Sequence, residues 1–150
     1  MTNRIINDEE FSNLMKLHTS EIIELLMKKG QFFSILTNIT NVYFNPPLPN
    51  EISSSLKPIT LFIIADYTFE SSSIDDDNLY FEAGFGKDNV GSYVSVPLNS
   101  IVQILVDDTP IFINLAIAQN RESKKESIKK STNIFLSNPE NKNIVKSNFH

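Results

Sequence analysis

Leu79-Tyr80-Phe81-Glu82-Ala83-Gly84-Phe85-Gly86, followed after a polar stretch by Tyr93-Val94-Ser95-Val96-Pro97, sets the architecture of this chain. Phe81, Ala83 and Phe85 recur with the period of two that puts side chains on one face of a strand. Pro97 cannot donate to a β ladder, so the second strand should end there. The two segments therefore predict successive β-strands.

The glycines at the end of the first strand leave its backbone bare of side chains. Gly84-Phe85-Gly86 lacks the glycine spacing, the lysine and the following helix of a nucleotide-binding loop. Bare backbone at a strand end permits either a bend in a curved sheet or the close approach of another backbone. These residues alone are compatible with both interpretations.

An amphipathic helix is predicted before the strands. Asn7 or Asp8 can cap its N-terminus, and the acidic residues that follow oppose the positive end of the helix dipole. Gly30, preceded by two lysines, is typical of a helix C-terminus. The apolar residues at helical spacing are Phe11, Leu14, Leu17, Ile22, Leu25 and Leu26.

The other elements indicate an α+β fold. Pro46 and Pro47 must leave the sheet, since proline cannot donate to a ladder. Apolar residues at helical spacing predict a short helix over residues 98–106. We expect an N-terminal helix followed by a strongly curved antiparallel sheet. Further strands are predicted at residues 32–39, with 42–44 as an extension, and at residues 59–69 and 111–117.

The composition favours one soluble domain. The chain has 150 residues, is 41% hydrophobic and contains no cysteine, which excludes disulfides and thiolate metal sites. The acidic run Asp8-Glu9-Glu10 follows the N-terminus too closely for a signal peptide. No apolar run approaches the roughly 20 residues that span a bilayer. We therefore expect a cytoplasmic protein.

Charge is unevenly distributed along the chain. Residues 119–150 carry seven cations and three anions, a net +4, which leaves −9 on residues 1–118. An acidic folded part argues against binding a phosphate backbone. The basic tail could touch nucleic acid weakly, but a solvated linker explains its composition better. We expect no nucleic-acid partner.

The tail that begins near Gln119 ends in apolar residues. Its Lys, Glu, Ser and Asn content cannot bury enough apolar surface to offset ordering entropy, which predicts disorder. Ile144-Val145-Lys146 and Phe149 nevertheless lie at its tip. They indicate either a short peptide ligand held out for a partner or a frayed end with chance hydrophobes.

No arrangement of residues predicts catalysis or a cofactor. Asp75-Asp76-Asp77-Asn78 suggests calcium, but an EF-hand loop needs glycine at its sixth position and glutamate at its twelfth. Tyr80 and Gly86 occupy those positions, so a hairpin turn is the better interpretation. The two histidines are isolated, and no serine sits in a nucleophile elbow. We expect neither an enzyme nor a metal site.

The strands resemble those of SspB, the adaptor that delivers ssrA-tagged proteins to the ClpXP protease. The strand ending in Phe85-Gly86, followed by Val94-Ser95-Val96-Pro97, carries the most specific similarity, which is nearest to the alphaproteobacterial form. Lys87 departs from the family, which usually has a second glycine there, and residues 87–92 form a longer loop. The similar segments are residues 57–67, 79–86, 94–101 and 106–113.

The resemblance implies a fold and a separate function for each of three successive segments of the chain. It implies that the curved sheet forms a small open barrel, and that residues 1–118 bind the tag and dimerise. Residues 119–143 would be a flexible linker, and residues 144–150 would dock on the ClpX unfoldase. Within that tip, the residues similar to the family's ClpX-binding motif are Ile144, Val145, Lys146 and Phe149.

The resemblance also implies a groove for the tag peptide, beside the strand at residues 81–86 and opposite the segment at residues 43–47. A small β-barrel module that binds RNA or another protein, unrelated to proteolysis, is the alternative function. Two features of residues 1–118 count against this alternative: their net negative charge, and the lack of a surface that combines basic and aromatic residues. The implied groove residues are Tyr43, Phe44, Pro46, Phe81, Glu82, Ala83, Gly84, Phe85 and Gly86.

Overall fold

A computed structural model describes residues 5–116 of the chain. Its N-terminal helix α1 spans Glu9–Lys28, as the apolar spacing predicts. The side chain of Asp8 caps it by accepting the backbone N–H of Glu10 at 3.2 Å, and Gly30 follows its end at φ 68°. Both ends therefore form for the predicted reasons.

The apolar residues of α1 divide between two sides of the helix. Ile23 and Leu26 are buried in the core. Leu14, Leu17 and Leu25 are about half exposed and form a second, outward stripe. The predicted single stripe thus corresponds to two surfaces, because α1 packs on the sheets along only one side.

The strands form two four-stranded antiparallel sheets among the described residues. The first has the order β3-β1-β7-β8 and the second β2-β6-β5-β4. Two short helices, α2 (Asn50–Ser53) and α3 (Asp66–Glu70), precede and follow β3. The strands are β1 Phe33–Asn38, β2 Tyr43–Asn45, β3 Ile59–Ile64, β4 Ser73–Ile74, β5 Asn78–Phe85, β6 Val90–Pro97, β7 Ile101–Val106 and β8 Thr109–Ile113.

One core joins both sheets and the helix. Phe62 of the first sheet meets Phe81 of the second with ring centroids 5.5 Å apart. Phe44 and Phe85 continue this aromatic cluster at 5.6 Å. Such edge-to-face pairs add to the free energy of burial, so the aromatic residues hold the two sheets together.

The predicted helix over residues 98–106 is wrong. Leu98–Ser100 form one short 3-10 turn, and Ile101–Val106 form strand β7. A register shift against β1 buries Ile101, Val102 and Ile104 together. This β-bulge breaks the alternation of period two, and the result resembles helical spacing in the sequence.

Three other predicted boundaries also change. The strand over residues 59–69 stops at Ile64, because Asp66 adopts φ 55° and the chain turns into α3. Residues 42–44 do not extend β1, since β2 belongs to the second sheet. The last strand spans Thr109–Ile113 rather than residues 111–117.

The single curved sheet of the sequence prediction is replaced by two sheets, and residues 5–116 form no closed barrel. None of the helices in this described part is long and apolar enough to cross a membrane. The predicted linker 119–143 and docking tip 144–150 lie outside the described residues.

Candidate functional site

Strand β5 has one edge that is covered along only part of its length. On this side β4 pairs with Leu79 and Tyr80 alone. The N–H of Glu82 donates to the hydroxyl of Ser71 at 2.9 Å, which continues the ladder by one rung. Because backbone groups alternate between the two sides of a strand, the N–H and C=O of Gly84 point toward this same edge. No strand among residues 5–116 pairs with the edge there.

A cleft of about 600 Å³ lies beside this edge and over the outer face of the second sheet. Residues of α3 form one wall, and the end of β2 with Pro46 forms the other. The side chain of Ser92 fixes that second wall by donating to the carbonyl of Pro46 at 3.0 Å. The lining residues are Asn45, Pro46, Ala65, Asp66, Tyr67, Thr68, Glu82, Ala83, Gly84, Asn89, Gly91, Ser92 and Tyr93.

All four tyrosines of the chain gather on or beside this outer face. Tyr93 lies directly across from Glu82, and Ser95 lies between Tyr43 and Tyr80 in the sheet register. Residues opposite one another in antiparallel strands share a face. The rings of Tyr80 and Tyr93 stack with centroids 6.0 Å apart and an interplanar angle of 11°.

The fourth tyrosine, Tyr67, reaches the face from α3. Its hydroxyl donates to Oε1 of Glu82 at 2.8 Å. This hydrogen bond and the nearby negative charge raise the pKa of Tyr67, because both favour the protonated phenol. The contact ties α3 to β5 and holds the Glu82 carboxylate at the cleft.

The two glycines that line the cleft differ in what lies above them. A side chain at Gly91 would project into open space. A Cβ at Gly84 would overlap the side chain of Asn89, which lies over it. Asp66 and Asn89 both hold left-handed backbone, at φ 55° and 53°, and such non-glycine conformations are often found at functional sites.

The structure brings together only part of the predicted groove. Phe81 is fully buried, and Phe44 and Phe85 pack in the aromatic core. Tyr43 lies on the outer face but outside the cleft lining, and Gly86 lies beyond it, against Ile52. The predicted residues that line the cleft are Pro46, Glu82, Ala83 and Gly84.

Tyr67 and Tyr93, beside and opposite Glu82, and the open position at Gly91 lie outside the groove predicted from the sequence. The predicted groove follows β5 and the segment at residues 43–47, whereas the cleft crosses β5 and β6 and has α3 as a wall. One available signal is compositional, since tyrosine is enriched among the residues that dominate binding surfaces. Period-two spacing in β5 and β6 would have placed Tyr80 and Tyr93 on the outer face.

The acidic run at residues 75–78 forms the predicted hairpin turn. Oδ1 of Asp75 accepts the backbone N–H groups of Asp77 at 2.9 Å and Asn78 at 2.8 Å. The Tyr80 hydroxyl donates to Oδ2 at 2.7 Å. These hydrogen bonds, with that of Tyr80 the largest effect, lower the pKa of Asp75. Residues 5–116 hold no group of three or more acidic or histidine side chains arranged to bind a metal.

No family model matches the chain, and no curated protein matches it.

Proposed function

We propose that this protein is an SspB-like adaptor that binds ssrA-tagged polypeptides in the cleft and tethers them through its C-terminal tail to ClpX for degradation by ClpXP. The observation that carries the proposal is the open edge of β5 at Gly84, beside a cleft whose lining includes Gly84 and Gly91. Such an adaptor is cytoplasmic, performs no catalysis and needs no cofactor.

An extended peptide suits this cleft because it can add to the sheet. The free N–H and C=O at Gly84 would hydrogen bond to the peptide backbone, which supplies affinity without depending on side chains. Gly91 leaves open space over the outer face beside this edge, which a side chain of the bound peptide could occupy. The tyrosines and Glu82 would then contact alternate side chains of the peptide and supply specificity.

The two sheets share one core, which suits the small open barrel implied by the resemblance. In this proposal the cleft lies on the outer face of that barrel, so a bound tag would not enter the core. Ligand binding would therefore require little repacking of the aromatic residues between the sheets.

The tail supplies the second half of the proposed activity. A flexible coil over residues 119–143 would have an r.m.s. span of roughly 25–30 Å. With its tip on ClpX, the substrate held by the core would be presented at an effective concentration near millimolar. Delivery would then improve without any new contact between the substrate and the unfoldase.

Homodimerisation belongs to the same proposal. The outward stripe of α1, formed by Leu14, Leu17 and Leu25, supports it because exposed apolar stripes commonly pack against a second helix. A dimer would offer two tails to one ClpX hexamer.

Fluorescence anisotropy with a labelled ssrA-tag peptide tests the tag-binding half. We expect micromolar or tighter binding that is equal for the full chain and for residues 1–118. Absence of binding by both proteins would refute the proposal.

A degradation assay with ClpXP and a tagged fluorescent substrate tests the tether. Deletion of residues 143–150 should leave tag binding unchanged and abolish the adaptor's stimulation of degradation. Equal rates with and without the tip would show that the tail is not the tether.

An RNA- or protein-binding module remains the competing function, favoured by the exposed tyrosines, on which bases could stack. The cleft lining contains no lysine or arginine to contact phosphate, which counts against RNA. Salt titration against single-stranded RNA separates the two, since RNA binding would weaken steeply with salt.

A further inference from the structure

The cleft carries a net negative charge. Its lining contains two carboxylates, Asp66 and Glu82, and no lysine or arginine. The acidic balance of residues 1–118 adds a background of the same sign. A ligand that brings further negative charge to this surface would be repelled, whereas a cation would be attracted.

Of the two carboxylates, Glu82 is the one held in place beside tyrosine side chains, which makes it the better candidate to bind a cation. Tyr67 holds Oε1 at 2.8 Å, and no hydrogen bond to Oε2 is formed by residues 5–116. Tyr93 stands directly opposite on β6, on the same face of the sheet. The carboxylate is therefore oriented by Tyr67, has Tyr93 as its cross-strand neighbour, and keeps Oε2 without a hydrogen bond from residues 5–116.

Tyrosine rings and a carboxylate attract the same kind of group. An ammonium or guanidinium is attracted to the face of a tyrosine ring by the negative charge of the ring's quadrupole. An ion pair with an exposed carboxylate adds a further, modest attraction. The two effects point to one ligand chemistry because Tyr67 hydrogen-bonds to Glu82 and Tyr93 is the cross-strand neighbour of Glu82 on the same face.

We propose that the cleft selects extended peptides that place a basic side chain at Glu82, beside Tyr67 and Tyr93, and discriminates against an acidic side chain at that position. This inference rests on the proposed peptide-binding function and adds the charge of the residue that is recognised. Lysine or arginine supplies the cation, and the backbone addition at Gly84 sets which peptide position reaches Glu82.

A positional peptide series tests the inference on the full-length protein. Each position of a labelled ssrA-tag peptide is replaced in turn by lysine, by methionine as an uncharged side chain of similar length, and by glutamate. At one position we expect lysine to bind about three- to tenfold more tightly than methionine, and glutamate to bind more weakly than either. Raising the salt concentration should reduce the difference.

Variants identify the carboxylate responsible. In Glu82→Gln the amide oxygen can still accept from Tyr67, so the fold is retained while the charge is lost. The preference for lysine should then fall to about that of methionine. The matched control is Asp76→Asn, which removes one negative charge from an exposed residue outside the cleft lining and should leave the preference intact.

Each outcome bears on a different claim. A lysine preference that is lost in Glu82→Gln and kept in Asp76→Asn supports the inference. Peptide binding with no preference for lysine at any position, or a preference that survives in Glu82→Gln, overturns the inference and leaves the proposed function standing. No binding of any peptide overturns the proposed function, and the inference with it.

Discussion

At the residue scale, Gly91 is the position at which the cleft can be filled without disturbing the fold. It lies within strand β6, and no atom lies close to where its side chain would project. We expect Gly91→Leu to weaken tag binding by tenfold or more, because the new side chain fills the open space above the outer face, beside Gly84, that a side chain of the bound peptide would occupy. Anisotropy with the labelled tag measures the change.

The control for that variant is Ser95→Leu. Ser95 lies on the same face of β6 and outside the cleft lining. This variant adds the same side chain and should bind the tag as the wild type does. Equal affinity of Gly91→Leu and wild type, with the fold retained by circular dichroism, would place the binding site elsewhere.

The buried hydroxyl of Thr37 gives a prediction about the stability of the fold. Its hydroxyl is fully buried at the register shift between β1 and β7 and meets no hydrogen-bond partner among residues 5–116. Thr37→Val replaces the hydroxyl by a methyl group of similar size. We expect the free energy of unfolding to rise by about 1 kcal/mol, since a buried unpaired donor is removed.

Chemical denaturation measures the effect of Thr37→Val. Thr37→Ser is the matched comparison, because it keeps the hydroxyl and removes the methyl group, and it should destabilise the protein. A loss of stability in Thr37→Val would mean that the hydroxyl is satisfied in solution.

The hydrogen bond between Tyr80 and Asp75 gives a pH-dependent prediction. The pKa of Asp75 is lower in the folded protein than in the unfolded chain, so its hydrogen bonds stabilise the fold above the ordinary carboxyl pKa. That stability is lost as the pH falls through the folded pKa. Tyr80→Phe removes the largest cause, and the pKa of Asp75 should rise toward its ordinary value.

An NMR titration of the Asp75 carboxyl carbon tests this expectation. Tyr93→Phe is the control, because it keeps the aromatic stack on Tyr80 and leaves the hydroxyl of Tyr80 in place. An unchanged titration midpoint in Tyr80→Phe would show that backbone hydrogen bonds alone hold the pKa down.

Among the secondary-structure elements, α1 has two apolar sides, of which one is buried and the other is exposed. One side is covered by the sheets, and the other exposes Leu14, Leu17 and Leu25. If the exposed stripe is the dimer contact, Leu17→Glu should convert the protein to a monomer, because it would place an unpaired charge in an apolar interface. Sedimentation equilibrium measures the mass.

The first sheet provides a control for the dimer prediction. Ile63 is 64% exposed on β3, so Ile63→Glu adds the same charge to another apolar surface. We expect that variant to remain dimeric. A monomer produced by Ile63→Glu, together with a dimer that persists in Leu17→Glu, would move the contact to the sheet.

At the scale of the whole molecule, the core lies well inside residues 1–118. Its buried cluster runs from Ile23 to Ile104 and draws on both sheets. We therefore expect residues 1–118 to melt within about 1–2 °C of the full chain in a thermal scan, since a 1 kcal/mol change would shift the midpoint by more. A markedly lower midpoint would show that the tail stabilises the fold.

The sequence was sufficient where the signal is local. Asp8 and Gly30 delimit α1, and the residues around Asp75 form their turn through hydrogen bonds to near neighbours. It failed for β7, because the bulge against β1 imitates helical spacing, and a bulge exists only once two strands are paired. It also extended β3 through Asp66, whose left-handed backbone ends the strand.

The class of the fold, the helix with its caps and the positions of most strands can be predicted from the amino-acid sequence, because capping and alternation act over a few residues. Only the tertiary structure divided the strands between two sheets, buried Phe81 and brought Tyr67 to Glu82. Those features depend on contacts between segments far apart in the chain. The candidate cleft is such a feature, since α3, β2, β5 and β6 each supply part of it.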